Sequence, residues 1–218
     1  LRAEKAVVSH NIEDISFLAS GAEIVNLWHG IALKSIDENF GQDMKSSLKR
    51  LYSDVFFNSD YFLLTSEKYK HLYADQLEGA GAIYAGYPRN DIFYKDISGS
   101  ELFAEKGIDD KFILYMPTYR DNSKFEEKID LEKLDNIFSD ENTDLELIFK
   151  PHPNTEINQD FENIKLVESQ KDLYPLLKSS EALITDYSSI MFDYMHTENP
   201  IIRFQFDKQE YENERVLN

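Results

Sequence analysis

The sequence predicts an α/β fold built on parallel β-sheets. Short runs of β-branched and aromatic residues alternate with amphipathic stretches along the chain, and this alternation is typical of βα units. An apolar content of 42% and an aromatic content of 13% indicate a well-filled core. The length of 218 residues suffices for one large domain or two small ones.

A first set of units occupies residues 1–95. Its predicted strands are Ala6–Val8, Glu23–Leu27, Tyr61–Leu64 and Ala82–Ala85. Its predicted helices are Glu13–Ala19, Asp43–Tyr52 and Lys68–Leu77. Four strands are few for a complete doubly wound sheet, so we expect this set to be the C-terminal portion of an N-terminal domain that is incomplete in this chain.

A second set of units occupies residues 96–218. Its predicted strands are Phe112–Tyr115, Leu145–Phe149, Ile164–Val167, Ala182–Thr185 and Ile201–Phe204. Its predicted helices are Leu131–Phe138, Leu173–Lys178 and Ser189–His196. The Gly86-Tyr87-Pro88 break, followed by the polar segment Tyr94–Ser100, predicts a domain boundary near residue 95.

Composition and charge exclude several function classes. A net charge of −18 opposes binding to nucleic acid or to an anionic bilayer surface, so an anionic ligand needs a local cationic pocket. The chain has no cysteine, which removes disulfides and thiolate chemistry. No apolar run is long enough to cross a membrane and no signal-peptide pattern occurs, so we expect a cytoplasmic protein.

The segment from Ile184 to Asp193 carries the clearest ligand signal. An apolar strand leads directly into paired hydroxyls, Ser188 and Ser189, that open a predicted helix. Backbone N–H groups at a helix start lack intrahelical partners, so this arrangement suits a phosphate. An ordinary helix cap is the alternative, and the segment alone favours it.

Other motifs also stand where predicted strands end. His29 follows the strand Glu23–Leu27 within Trp28-His29-Gly30, with Lys34 nearby, and it suits either proton abstraction from a hydroxyl or a buried structural role. His152 lies on a stiff loop, Lys150-Pro151-His152-Pro153, where a neutral or protonated imidazole beside Lys150 suits phosphate oxygens. A loop that simply turns sharply is the alternative. Neither histidine has partners at metal-binding spacings, so we predict no metal site.

Two arginines extend this pattern. Arg120 closes the segment Tyr115-Met116-Pro117-Thr118-Tyr119-Arg120 after the strand Phe112–Tyr115, and Arg89 follows the Gly86-Tyr87-Pro88 break. A guanidinium can bind phosphate with two parallel hydrogen bonds, whereas pairing with a nearby carboxylate is the structural alternative. Taken alone, neither arginine decides between these roles.

Together the motifs resemble the CDP-glycerol glycerophosphotransferase family. The motifs that carry the resemblance occur in the family's order: Trp28-His29-Gly30 with Leu33-Lys34, Gly86-Tyr87-Pro88-Arg89-Asn90-Asp91, Pro117-Thr118-Tyr119-Arg120, Lys150-Pro151-His152-Pro153, and Thr185-Asp186-Tyr187-Ser188-Ser189 with Phe192-Asp193. The resemblance implies a GT-B-like architecture of two Rossmann-type domains with parallel sheets. It also implies a transferase that uses neither metal nor cofactor. Ala32 stands where the family usually has proline, and the chain ends at Asn218, short of the family's final helices.

The resemblance implies a role for each matching residue. His29 would be the catalytic base that deprotonates the acceptor hydroxyl, with Trp28, Gly30, Ile31, Ala32 and Lys34 beside it. His152 would hold the donor pyrophosphate. The remaining residues of the implied donor pocket are Arg89, Pro117, Thr118, Arg120, Lys150, Pro151, Ser188, Ser189 and Asp193. Glu168 and Ser169, after the strand Ile164–Val167, would read the nucleotide base.

The implied reaction transfers glycerol phosphate or ribitol phosphate from a CDP-activated donor to a teichoic acid or capsular polymer acceptor and releases CMP. Family members act on lipid-linked acceptors at the inner face of the plasma membrane, so peripheral membrane association through segments outside this chain is expected. A sugar or sugar-phosphate transferase of the same fold and a non-catalytic CDP-binding fragment are the alternatives.

Overall fold

The structure is a computed structural model that describes residues 3–9, 21–31, 59–73, 77, 79–97, 107–108, 111–118, 129–139, 144–152, 155, 157, 160–167 and 172–214. Its contacts divide the chain into two compact units, Leu1–Pro88 with Gln209–Asn218, and Arg89–Lys208. In this division the first segment ends at Pro88, the last residue of the Gly86-Tyr87-Pro88 break, whereas the predicted boundary lies near residue 95. Residues 89–94 join the second unit because Arg89 and Asn90 both hydrogen-bond to Asp193.

The first unit contains a parallel sheet. Its described strands are β1 (Lys5–Val8), β2 (Glu23–Asn26), β3 (Tyr61–Leu64) and β4 (Gly81–Tyr84), in the spatial order β1-β2-β3-β4. A 3-10 helix, η1 (Glu67–Tyr73), follows β3. The buried rings of Phe62 and Tyr73 pack with Trp28 and Leu64 into one cluster. This cluster fixes the end of β2, where Trp28 and His29 leave the sheet.

The second unit contains a five-stranded parallel sheet. Its strands are β5 (Phe112–Met116), β6 (Glu146–Phe149), β7 (Ile164–Leu166), β8 (Ala182–Thr185) and β9 (Ile201–Arg203), in the spatial order β7-β6-β5-β8-β9. The chain thus adds β6 and β7 on one side of β5, and then crosses over to add β8 and β9 on its other side. Such a reversal creates a crevice beyond the carboxyl ends of the two strands that flank it, here β5 and β8.

Both faces of the second sheet are covered. Alternate side chains of β6 point to opposite faces, so Ile148 enters one cluster and Phe149 the other. Helix α1 (Leu131–Phe138), capped by Asp130 through a 2.8 Å bond from Lys133 N–H, packs on the Phe149 side. Helix α2 (Tyr174–Ser179) buries Leu176 and Leu177 on the Ile148 side. This arrangement confirms the predicted α/β fold with Rossmann-type parallel sheets.

All nine predicted strands are confirmed, each to within one residue of its predicted ends. The helices differ more. The predicted helix Lys68–Leu77 is the 3-10 helix η1, and the predicted helix Ser189–His196 divides into α3 (Ile190–Tyr194) and the 3-10 helix η3 (Met195–Thr197). The predicted helices Glu13–Ala19 and Asp43–Tyr52 lie outside the described residues. A 3-10 helix, η2 (Pro88–Tyr94), and helix α4 (Lys208–Glu214) were not predicted.

Candidate active site

The carboxyl edge of the second sheet collects most of the predicted donor-site residues. β5 is followed directly by Pro117 and Thr118, and its two neighbours β6 and β8 end beside it. The predicted residues that these three strand ends place at one edge are Pro117, Thr118, Lys150, Pro151, His152, Ser188 and Ser189. Residues that are far apart in sequence thus lie along the same edge of the sheet.

A carboxylate ties the ends of β5 and β8 together. The Oδ1 atom of Asp186 accepts hydrogen bonds from the backbone N–H of Thr118 at 2.9 Å and from the backbone N–H of Tyr187 at 2.6 Å. The Thr118 hydroxyl also donates to Oδ1. Asp186 is 2% exposed, so these bonds are formed away from water. Asp186 was not among the predicted site residues, although its position between a buried strand and two serines was a usable signal.

Ser188 and Ser189 lie just before α3. The Ser188 hydroxyl oxygen accepts a bond from the Ile190 N–H at 3.3 Å, which leaves the hydroxyl proton able to donate. Ser189 is the N-cap residue of α3 and makes no side-chain capping bond. Because α3 has only five residues, its macrodipole is weak. The hydroxyl groups of Ser188 and Ser189 are therefore the main hydrogen-bond donors for an anion at this helix start. The helix cap expected as the alternative is therefore only partly formed.

Lys150 and His152 follow the end of β6. The backbone N–H of Lys150 donates to the Tyr115 carbonyl at 2.9 Å, which extends the pairing with β5 by one residue. The Lys150 side chain is half-buried, and this desolvation lowers the pKa of its ammonium group from the ordinary 10.5. Lys150 forms no ion pair with any residue that the structure describes. A bound anion would supply the countercharge.

Arg89 and Asp193 bind each other in this structure. Arg89 donates from Nε to Asp193 Oδ2 at 3.1 Å and from Nη2 to Oδ1 at 3.3 Å. Asn90 donates to Oδ1 at 3.0 Å, and the Tyr174 phenol donates to Oδ2 at 2.9 Å. Burial and the Asp193 charge raise the pKa of Tyr174 well above 10. Asp193 thereby fastens η2 to α3, and its partners Asn90 and Tyr174 were absent from the predicted site.

His196 belongs to the same network. The Asn90 amide contacts His196 Nε2 at 3.2 Å, the Tyr94 hydroxyl contacts Nδ1 at 2.9 Å, and Phe93 stacks on the ring at 5.6 Å. Since the Asn90 amide nitrogen can only donate, Nε2 accepts and the ring proton resides on Nδ1. The structure thus places His196 in a structural contact between η2 and η3.

The first unit presents His29 from a constrained turn. The backbone of Trp28 has a φ of 57°, a left-handed conformation that is costly for a bulky residue, and its N–H donates to the buried Asn26 side chain at 2.8 Å. The Trp28 ring is 8% exposed and lies 5.8 Å from Phe62. His29 is exposed, with its ring centroid 4.3 Å from that of Trp28. The packed tryptophan thus holds a solvent-facing imidazole.

Gly30 and Ile31 continue this turn. Gly30 has a φ of 153°, which lies outside the range that residues with a side chain readily adopt, and its carbonyl accepts a 2.9 Å bond from the Tyr73 phenol. Ile31 is partly buried. The remaining predicted site residues lie outside the described residues: Ala32, Lys34, Arg120, Glu168 and Ser169.

Comparison with protein families gives a match along almost the entire chain. The model of CDP-glycerol:poly(glycerophosphate) glycerophosphotransferases matches residues 1–217. The chain belongs to this glycerophosphotransferase family. This membership confirms the resemblance on which the site residues were assigned.

Curated relatives of this glycerophosphotransferase family member are teichoic acid enzymes. The teichoic acid poly(glycerol phosphate) polymerase of Bacillus spizizenii is 31% identical over 214 residues, which cover 86% of this chain and 52% of the polymerase. The teichoic acid poly(ribitol-phosphate) polymerase of the same organism is 28% identical over 222 residues, covering 91% of this chain and 34% of that enzyme. The chain thus spans about half, or less, of the length of these relatives.

This chain superimposes with a TM-score of 0.79 on a solved structure of the wall teichoic acid polymerase TagF. That structure is of a histidine-to-asparagine variant soaked with CDPG. It is 24% identical, and the match covers 96% of this chain and 56% of TagF. At this identity the likeness establishes the GT-B-like fold.

Within the described part of the chain, no helix has the length and apolarity needed to cross a membrane. The same residues contain no group of three or more His, Asp or Glu placed to hold a metal ion.

Proposed function

We propose that this protein is a transferase that moves glycerol phosphate or ribitol phosphate from a CDP-activated donor to the terminal hydroxyl of a teichoic acid or capsular polymer. The observation that supports the proposal is that Lys150 and His152 follow β6, and Ser188 and Ser189 follow β8, at the carboxyl edge of one parallel sheet. Cations and hydroxyl donors are the groups that bind a pyrophosphate. Family membership supports CDP as the nucleotide.

In this reaction, His29 takes the proton from the acceptor hydroxyl. The resulting alkoxide oxygen attacks the β-phosphorus of the donor, a new P–O bond forms, and the bond between the β-phosphorus and the bridging oxygen breaks. CMP leaves with that electron pair. Phosphoryl transfer of this kind depends mainly on positioning and charge stabilisation. The exposed imidazole, held by Trp28, supports the assignment of His29 as the base.

The donor pyrophosphate binds the Lys150 ammonium, His152 and the hydroxyls of Ser188 and Ser189. Desolvation makes an unpaired Lys150 charge unfavourable, so an anion beside it is strongly stabilised. Arg89 and Asp193 contribute by holding η2 against α3, next to Ser188 and Ser189. In the first unit, the turn Trp28-His29-Gly30 serves the acceptor.

The test of this proposal measures CMP release by the full-length protein from CDP-glycerol with a primed acceptor. We expect release that His29→Ala abolishes, because the acceptor hydroxyl then has no base. His71→Ala is the matched control, since His71 is an exposed histidine of η1 in the same unit. Unchanged CMP release in His29→Ala would refute the role of His29.

Parallel assays separate the alternatives. CDP-ribitol in place of CDP-glycerol identifies the polyol, and nucleotide sugars test for a sugar-transferring relative. A non-catalytic CDP-binding protein would give CDP binding by calorimetry with no CMP release from either polyol donor.

Peripheral attachment at the inner face of the plasma membrane, next to a lipid-linked acceptor, is part of the same proposal. The net charge of −18 opposes direct binding to anionic lipid, so we expect this chain alone to remain unbound when anionic vesicles are floated. Binding of the chain to such vesicles would contradict that expectation.

A further inference from the structure

We infer that Asn26 is a positioning residue for the proposed base: its side-chain carbonyl holds Trp28 in the left-handed conformation that presents His29. The inference deepens the proposed function and rests on it, because it concerns how the same base is aimed at the acceptor. Asn26 is the last residue of β2 and was not among the predicted site residues.

The first step is the path of the backbone where β2 ends. The N–H of Leu27 donates to the Val8 carbonyl at 2.7 Å, which continues the pairing with β1 by one residue. The next N–H, that of Trp28, donates to Asn26 Oδ1 at 2.8 Å. An asparagine side chain that accepts from the N–H two residues later closes a tight turn in the backbone. The chain therefore leaves the sheet at Trp28, and Asn26 binds the first N–H beyond the pairing with β1.

The second step is the conformation that this bond maintains. Trp28 has a φ of 57°, which is costly for a bulky residue and persists only where the surrounding structure compensates. Asn26 is 2% exposed, so its bond to the Trp28 N–H is formed away from water, and solvent does not readily replace it. The contact of the Trp28 ring with Phe62 fixes the indole, whereas the Asn26 bond acts on the backbone itself.

The third step connects this conformation to the base. His29 follows Trp28 directly, so the φ of Trp28 sets the direction in which the chain carries the imidazole. The two rings lie 4.3 Å apart with an interplanar angle of 34°. If Trp28 relaxed to a negative φ, the imidazole would leave this position beside the indole. A base must lie within hydrogen-bond reach of the proton that it abstracts, so the displacement would slow the reaction without removing the base.

The experiment compares Asn26→Ala with Asn26→Ser. Both changes shorten the side chain and leave nearly the same space, but the serine hydroxyl can still accept the Trp28 N–H. In the CMP assay with the full-length protein, we expect Asn26→Ala to lower kcat at least about tenfold and Asn26→Ser to recover most of that loss. The affinity for CDP, measured by calorimetry, should stay within about twofold in both variants, because its proposed site lies in the other unit.

Ser59→Ala is the matched control. Ser59 is a buried polar residue of the same unit, 6% exposed, and its hydroxyl has no hydrogen-bond partner among the described residues. It lies before β3, at the opposite end of the sheet from Trp28. We expect its kcat and its CDP affinity to match those of the wild type.

Fluorescence provides a measurement that does not depend on CMP release. Trp28 is the only tryptophan in the 218-residue chain, and a protonated imidazole in contact with an indole quenches its emission. Lowering the pH from alkaline to mildly acidic should therefore quench the wild-type chain and Asn26→Ser more strongly than Asn26→Ala. His29→Ala should lose this pH-dependent step, which identifies His29 as the quencher.

Equal kcat values for Asn26→Ala and Asn26→Ser would overturn the inference, and so would equal quenching in the two variants. A fall in CDP affinity that matches the fall in kcat would also overturn it, because the change would then act on the whole fold. If the wild-type protein releases no CMP, the proposed function fails, whereas quenching still decides whether Asn26 positions His29. Asn26→Val and Asn26→Thr, which differ in the same way and fill more space, repeat the comparison if Asn26→Ala does not fold.

Discussion

Tyr73 and Gly30, 43 residues apart in the sequence, are joined by a 2.9 Å hydrogen bond from the Tyr73 phenol to the Gly30 carbonyl. Tyr73 is 1% exposed and packs against Phe62 at a ring distance of 5.4 Å. The bond ties η1 to the turn that carries His29. A residue of the packed cluster thus restrains the backbone directly beside the proposed base.

Tyr73→Phe tests this restraint. The change keeps the ring and removes the donor to a buried carbonyl, so we expect a loss of about 1–3 kcal/mol in the free energy of unfolding. We also expect slower CMP release, because the turn that positions His29 loses an anchor. Urea unfolding and the CMP assay measure the two effects.

Tyr69→Phe is the control for that prediction. Tyr69 packs against the same cluster, and its hydroxyl has no hydrogen-bond partner among the described residues. It should change neither quantity. Equal effects of the two substitutions would show that the Tyr73–Gly30 bond has no special importance.

Asp193→Ala should be strongly destabilising. The side chains of Arg89 and Asp193 are 23% and 7% exposed, and removing one partner of such a pair leaves a poorly solvated charge. We expect a loss of about 3 kcal/mol, at the lower end of the range for buried pairs because Arg89 is partly solvated. Urea unfolding monitored by circular dichroism measures this change.

Lys5→Ala provides the comparison, since Lys5 and Glu23 form an exposed ion pair at 2.6 Å that solvent screens. We expect no measurable change in unfolding for this variant. If Asp193→Ala were equally mild, Asp193 would not be the residue that holds η2 to α3.

Lys150→Met should separate stability from ligand binding. Burial lowers the pKa of Lys150 from 10.5, so the unfolded chain binds this proton more tightly than the folded chain does. The free energy of unfolding therefore rises as pH increases through the interval between the folded pKa and 10.5. Lys150→Met should remove that rise and be at least as stable as the wild type at neutral pH. CDP should bind about tenfold more weakly, because a charge-assisted hydrogen bond is lost.

Thermal unfolding at neutral and alkaline pH, together with calorimetry, checks these expectations. Lys165→Met is the control: Lys165 is paired with Glu146 at 2.5 Å, so the variant should be less stable and bind CDP normally. A Lys150→Met protein that is both destabilised and normal in CDP binding would contradict the assignment of Lys150 to the pyrophosphate.

The strands were predictable from sequence because the signal is local. Phe112–Met116 and Ala182–Thr185 are short apolar runs, and a buried parallel strand produces such a run whatever its neighbours are. The order of the strands places Thr118 next to Asp186, and that proximity depends on tertiary pairing rather than on local pattern. The sequence therefore indicated the strand ends but not the carboxylate that connects two of them.

The ion pair of Arg89 was likewise not predictable from the local sequence. The position of Arg89 after Pro88 indicated a functional residue, but its ion pair with Asp193 joins residues 104 positions apart in the sequence. The polar composition of the segment after Pro88 suggested a linker, whereas the side-chain bonds to Asp193 draw η2 into the second unit. Local polarity does not reveal whether a distant carboxylate will be present.

The central position of β5 has a consequence for hydrogen exchange. β5 is paired with β6 on one side and β8 on the other, and Leu114 and Phe112 are fully buried. Amides of such a strand become accessible to solvent only when the whole sheet opens, so they exchange at rates set by global unfolding. Thr118 emerges from this slowest-exchanging segment, two residues beyond its end. Local fraying elsewhere in the second unit would therefore leave the position of Thr118 unchanged.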